Sequence, residues 1–152
     1  MATGLVVPAG GGRHLKEPSG QVMSMKLFGR ETGQSVMLFE QSVPAGSKNS
    51  WFHLHRGSDE VAWVLEGEFT FKVGDAITTG GPGTCVFMPR EVAHAWKNTA
   101  GITARALFLY TPAGAGGWIE EMVDRGAGAY TAADRDEFCG RYRWEILGPN
   151  PL

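Results

Sequence analysis

The chain has 152 residues, 43% of them hydrophobic and 20% charged, with a formal net charge of −2. That is enough chain for one domain with a full core, and the balance argues against disorder over most of its length. Scattered Lys and Arg on a slightly acidic chain argue against a nucleic-acid surface, and no apolar run approaches the ~20 residues that span a bilayer. The first twelve residues carry no positive charge ahead of the short apolar patch at 5–7, so they do not read as a signal peptide. Cys85 and Cys139 lack C-x-x-C spacing and read as reduced thiols, and the expected location is the cytoplasm.

Gly (22 residues) and Pro (8 residues) punctuate the chain into short pieces. Residues 1–20 read as an extended, loosely tied arm. From Gln21, Met23, Met25 and Leu27 alternate with polar or smaller residues, the period of a half-buried strand. Further strands are expected over 35–43, 51–55, 60–73 with a break at Gly67, 76–79, 84–88, 94–98 and 104–110. This makes eight or nine short strands, the pattern of an all-β sandwich or barrel. Helical period appears only afterwards. Trp118, Ile119, Met122 and Val123 share one helical face, and Thr131 with Asp134 resembles a capping box for a second short helix through Phe138. Tyr142, Trp144 and Ile146 then alternate as a closing extended segment. No internal linker or repeat interrupts the chain. The expected organisation is one domain over 1–152, with a barrel core at 21–112, the arm at 1–20, and a helix and tail at 113–152.

His53 and His55 lie two apart on a predicted strand and therefore point to one face, ~6.6 Å apart along the backbone. Antiparallel return of the next strand would bring Glu60 beside them, and His94 opens a later strand. Three imidazoles and a carboxylate suit a divalent transition metal with one or two open positions, as catalytic sites require. On spacing alone, H-x-H fits a histidine-containing core equally well.

The same residues carry a resemblance. His53-Leu54-His55, four residues, Glu60, six residues and Gly67 resembles the first cupin motif, which Gly46 opens. Gly83, five residues, Pro89, then His94 five later and Asn98 four after that resembles the second. The segment 110–114 and the tail with Gly148-Pro149 are similar to small single-domain cupins of the quercetin-dioxygenase-like kind. The chain departs from the motifs twice. Gly46 stands one residue further from His53 than is usual, and Glu91 occupies a position that usually carries Gly.

The resemblance implies a cupin double-stranded β-helix, a jelly-roll-like barrel with one or two short C-terminal helices. It implies one metal ion (Fe, Mn, Ni, Co, Cu or Zn) held by His53, His55, Glu60 and His94, with Glu60 able to act as a catalytic base. Strand parity adds Trp51, Val64, Phe69, Met88 and Trp96 as walls of a substrate pocket. The expected activity is a metal-dependent dioxygenase acting on an aromatic or enolic small molecule. A non-redox isomerase, cyclase or lyase, or a binding-only cupin, is the alternative. The expected assembly is a homodimer, because Leu54, Val61, Trp63 and Leu65 place apolar side chains opposite the ligands.

Overall fold

The computed structural model describes residues 3–126, 128 and 131–152. Met1 and Ala2 of the expected arm lie outside them. The described residues form strands β1 (Arg13–Lys16), β2 (Val22–Leu27), β3 (Met37–Val43), β4 (Trp51–His55), β5 (Asp59–Glu66), β6 (Phe69–Val73), β7 (Ala76–Gly80), β8 (Cys85–Met88), β9 (His94–Asn98), β10 (Ala104–Thr111) and β11 (Trp144–Pro149). Helices α1 (Gly117–Arg125) and α2 (Ala132–Tyr142) fall between β10 and β11. Two antiparallel sheets result, ordered β1-β2-β3-β10-β5-β8 and β11-β4-β9-β6-β7. This is an all-β sandwich of the jelly-roll kind.

Alternation dictates which side chains enter the space between the sheets. On β3, Met37, Phe39, Gln41 and Val43 are buried while the intervening residues are only partly covered. Phe39 stacks on Phe108 of β10 with ring centroids 5.5 Å apart, and Trp96 of β9 reaches Phe108 from the opposite sheet at 5.4 Å. These rings join the two layers. Asn98, at the end of β9, is fully buried. Its amide nitrogen donates to the carbonyls of Val43 (2.9 Å), Pro44 (3.1 Å) and Ile102 (2.9 Å), and its oxygen accepts from the Ala100 N–H at 2.8 Å. The second-motif asparagine thus ties together the ends of β3 and β9 and the turn before β10.

Several expectations change. The arm at 1–20 is not loose throughout: β1 pairs with β2, and Leu15 is buried. The arm's Gly and Pro flank this four-residue strand instead of preventing it. Tyr142 belongs to α2 and not to the closing strand. Thr131 and Asp134 do form a capping box, and from that start the helix runs to Tyr142, ending at Arg143 in the left-handed region (φ 58°). Glu91 holds the left-handed conformation (φ 66°) that glycine would adopt at little cost. Its N–H donates to the His55 carbonyl at 2.8 Å, so the turn before His94 keeps its shape despite the glutamate. The surplus residue after Gly46 sits in the loop that Ser47 closes by donating to the Pro44 carbonyl.

Candidate metal centre

β4 carries His53 and His55 inward at its centre and end, with β9 on one side and β11 on the other. His94 lies directly across from His53 in the β4–β9 register. Glu60 comes from the opposite sheet, between Met88 of β8 and Tyr110 of β10. One ligand atom from each of His53, His55, Glu60 and His94 lies within 4.8 Å of the others, and all four side chains are buried.

The hydrogen bonds set the tautomers. His53 Nδ1 faces the Trp51 carbonyl at 2.9 Å and His94 Nδ1 faces the Val92 carbonyl at 3.0 Å. A carbonyl only accepts, so both Nδ1 atoms carry a proton, and both Nε2 atoms face the cluster. His94 Nε2 lies 2.9 Å from the Glu60 carboxylate oxygen. His53 Nε2 and both ring nitrogens of His55 are buried with no hydrogen-bond partner among the described residues. Buried acceptors gathered in this way call for a positive centre. A divalent metal ion fits the donor set, although imidazoles with one carboxylate do not select among the first-row metals.

Electrostatics agree with this. Burial, reinforced by the nearby His94 and opposed by the Trp51 carbonyl, pushes His53 from its ordinary 6.5 to about 3. Burial, then His53 and His94, holds His55 well below its ordinary value. Both rings therefore stay neutral and available as ligands at physiological pH. A prediction for the metal-free protein follows. The folded values lie below the unfolded ones, so the stability these rings contribute is complete above pH ~6.5 and is lost as the pH falls toward ~3. At pH 4, His53 alone accounts for ~3 kcal/mol. Thermal melts of chelated protein from pH 7 to pH 4 should show a steadily falling Tm. A Tm insensitive to pH would mean that protons reach the rings in the folded state.

The cupin domain family profile matches residues 39–110, a span that contains all four candidate ligands. The matched span runs from within β3 almost to the end of β10, nearly half of the chain. No curated protein matches the sequence. Among solved structures, KdgF from a Halomonas species aligns over 72% of this chain and 94% of its own, at 14% identity and a TM-score of 0.62. An RmlC-like cupin from Shewanella frigidimarina aligns over 74% and 95%, at 20% identity and a TM-score of 0.61. A predicted oxalate decarboxylase from Thermotoga maritima aligns over 70% and 98%, at 19% identity and a TM-score of 0.61. At these identities the likeness is one of fold.

The barrel leaves a cavity of about 150 Å³ that reaches the cluster at His53 and Glu60. Trp51 and Trp96 line it, together with His53 and Glu60. Val64, Phe69 and Met88 do not. All three face inward but are fully buried in the packed core. Strand parity assigns a face of the sheet and is silent on which part of the interior a side chain reaches: Met88 stands beside Glu60 in register, yet does not border the cavity. Residues that parity did not suggest take their places. Trp144 of β11 stacks on His53 (4.5 Å, 9° between planes) and meets His55 edge-on at 4.3 Å. Its indole N–H donates to the Ala115 carbonyl at 2.9 Å. Tyr110 packs edge-on against His55 at 5.0 Å. Burial, and then the neighbouring Glu60 carboxylate, pushes its phenol well above the ordinary range, so it stays protonated as a donor toward Glu60. Trp118, Ile119 and Met122 of α1 complete one wall. Glu17, Trp51 and Met122 also line an outer cleft, where Arg135 stands.

The sequence signal for Trp144 and α1 was present as aromatic and amphipathic pattern. Only the pairing of β11 with β4 shows that it belongs to the site. The exposed Cys85 takes no part. Among the described residues, no helix is long and apolar enough to cross a membrane.

Proposed function

We propose that this protein is a mononuclear metal-dependent cupin enzyme of the cytoplasm, a dioxygenase acting on a small aromatic or enolic molecule. The observation that carries the reading is the convergence of unpartnered imidazole nitrogens and one carboxylate at the end of an aromatic-walled cavity. Bound by His53, His55, Glu60 and His94, a divalent transition metal would supply Lewis acidity and, for a redox-active ion, electron transfer to O₂.

The chain's own residues do the rest. Glu60 Oε2 lies where it can accept the proton of an acidic substrate hydroxyl, with the His94 ring and the Tyr110 phenol as neighbours. Trp144 covers the imidazoles on one side and keeps water from them. A cavity of about 150 Å³ admits one ring, since a cavity of roughly that size holds benzene, so a three-ring flavonol does not fit within it.

The test is O₂ uptake by protein loaded in turn with Fe, Mn, Co, Ni, Cu and Zn, against single-ring enols and hydroxylated aromatics. Uptake with at least one redox-active metal, absent from a His53→Ala protein, supports the reading. Turnover of the same compounds under argon would replace it with isomerase or lyase chemistry at the same residues.

The same proposal includes a homodimer. Trp63 and Phe87 are exposed on the outer face of the six-stranded sheet, with β8 as its free edge, and Val61 pairs with Phe87 in register. Leu54, expected on the same patch, is nearly buried and belongs to the other sheet, so it takes no part in this face.

A further inference from the structure

The cavity is polar at the end away from the histidines. Gln41 of β3 and Gln21, just before β2, line it, and each is only 5% exposed. Gln41 pairs with Ala106, four residues along β10 from Tyr110, the strand neighbour of Glu60. This separates the two ends by ~13 Å along the strands. Between them stand the rings of Phe39, Phe108 and Trp96.

Side-chain amides are ordinarily ambiguous, because oxygen and nitrogen look alike. Here a backbone carbonyl removes the ambiguity. The Lys48 carbonyl can only accept, so the group of Gln21 that faces it at 3.2 Å is the NH₂. The Gln21 oxygen is therefore the acceptor that meets the Gln41 NH₂ at 2.8 Å. The chain of donation runs from Gln41 to Gln21 to the Lys48 carbonyl. It leaves the Gln41 carbonyl oxygen with no hydrogen-bond partner among the described residues, on a nearly buried side chain that lines the cavity. An amide oxygen open to the cavity on an otherwise buried side chain is placed to accept from a donor that enters the cavity.

Resting on the metal-dependent reading above, we infer that Gln41 is the specificity-determining residue for the distal end of the substrate. It accepts a hydrogen bond from a hydroxyl there, and Gln21 is the residue that fixes its orientation. The substrate class is a single-ring molecule with metal-directed oxygens at one end and a hydroxyl opposite them. A methyl or an ether at that position leaves the Gln41 oxygen unpaired, and a site built around a hydrogen bond rejects ligands that lack it.

Three para-substituted benzoates test this: 4-hydroxybenzoate, 4-methylbenzoate and 4-methoxybenzoate. They are titrated into Zn-loaded protein and followed by tryptophan fluorescence. The hydroxy compound should bind about 5- to 10-fold more tightly than either of the others. In Gln41→Leu the three affinities should converge. In Gln21→Leu the Gln41 amide is free to turn its NH₂ inward, so the methoxy compound should gain on the hydroxy compound while the methyl compound does not. A purely structural role would not produce that crossover. The double variant Gln21→Leu/Gln41→Leu removes both partners together and keeps the comparison available if the single variant folds poorly. Equal affinities in the unmodified protein, an unchanged preference in Gln41→Leu, or no binding of 4-hydroxybenzoate would each overturn the inference. Metal content, measured on the same samples, reports separately on the metal-dependent reading and should be unaffected by the glutamine substitutions.

Discussion

A His53→Ala/His55→Ala protein should purify without stoichiometric metal, and its Tm should not respond when metal is added. Two of the four candidate ligands are gone, and both came from one strand, so no neighbouring side chain can substitute. Loss of an outer hydrogen-bond partner alone costs a metal site 10–100-fold in affinity, so loss of two direct ligands should cost on the order of 10³-fold or more. The unmodified protein should behave in the opposite way. An ion at ~1,000 times its Kd stabilises the folded state by about 4 kcal/mol, which for a chain of this size raises Tm by about 10 °C. Elemental analysis and paired melts with and without chelator read both effects. Equal metal in the two proteins would show that the ion sits elsewhere and would remove the basis of the proposed function.

The second large effect is on stability. Asn98→Ala should lower Tm by roughly 6–12 °C, about 3 kcal/mol, with no direct effect on the ligands. The side chain is fully buried and serves three carbonyls and one N–H. Alanine leaves all four without that partner at the junction of β3, β9 and the turn before β10. Asn98→Asp makes a sharper comparison, because a carboxylate retains the acceptor for Ala100 but places charge against the carbonyls of Val43, Pro44 and Ile102. It should be the less stable of the two variants at neutral pH in thermal melts. If either variant melts like the parent, water satisfies these groups and the asparagine is dispensable.

Local pattern carried much of this into the sequence. Trp51–His55 is a strand with both histidines on one face, as the two-residue spacing requires, and Thr131 with Asp134 caps the second helix. The motif spacings named Glu60 and His94, but the expected antiparallel return of β5 beside β4 does not occur. β5 crosses to the opposite sheet and Glu60 faces the histidines across the sandwich, while His94 arrives through the long-range pairing of β9 with β4. Less legible was anything decided by partners distant in the chain. Trp144 covers the imidazoles because β11 pairs with β4, about ninety residues earlier, and no local period announces that pairing. Val64, Phe69 and Met88 face inward as parity requires, but they are packed into the core and do not border the cavity. Gln41 did have a signal: it is the one polar residue in the inward set Met37, Phe39, Gln41 and Val43. A polar residue in that phase requires a partner, and Gln21 could be identified only once β2 lay beside β3.

The four ligands do not come from one layer. His53, His55 and His94 belong to the five-stranded sheet, and Glu60 belongs to the six-stranded one, 34 residues before His94. An ion held by all four is therefore a rivet through the sandwich, closing a long chain loop much as a disulfide would. Its removal does more than empty a site. It removes the tie between the layers at that end of the sandwich, where the aromatic core does not replace it, so β4, β5 and β9 should lose amide-exchange protection together.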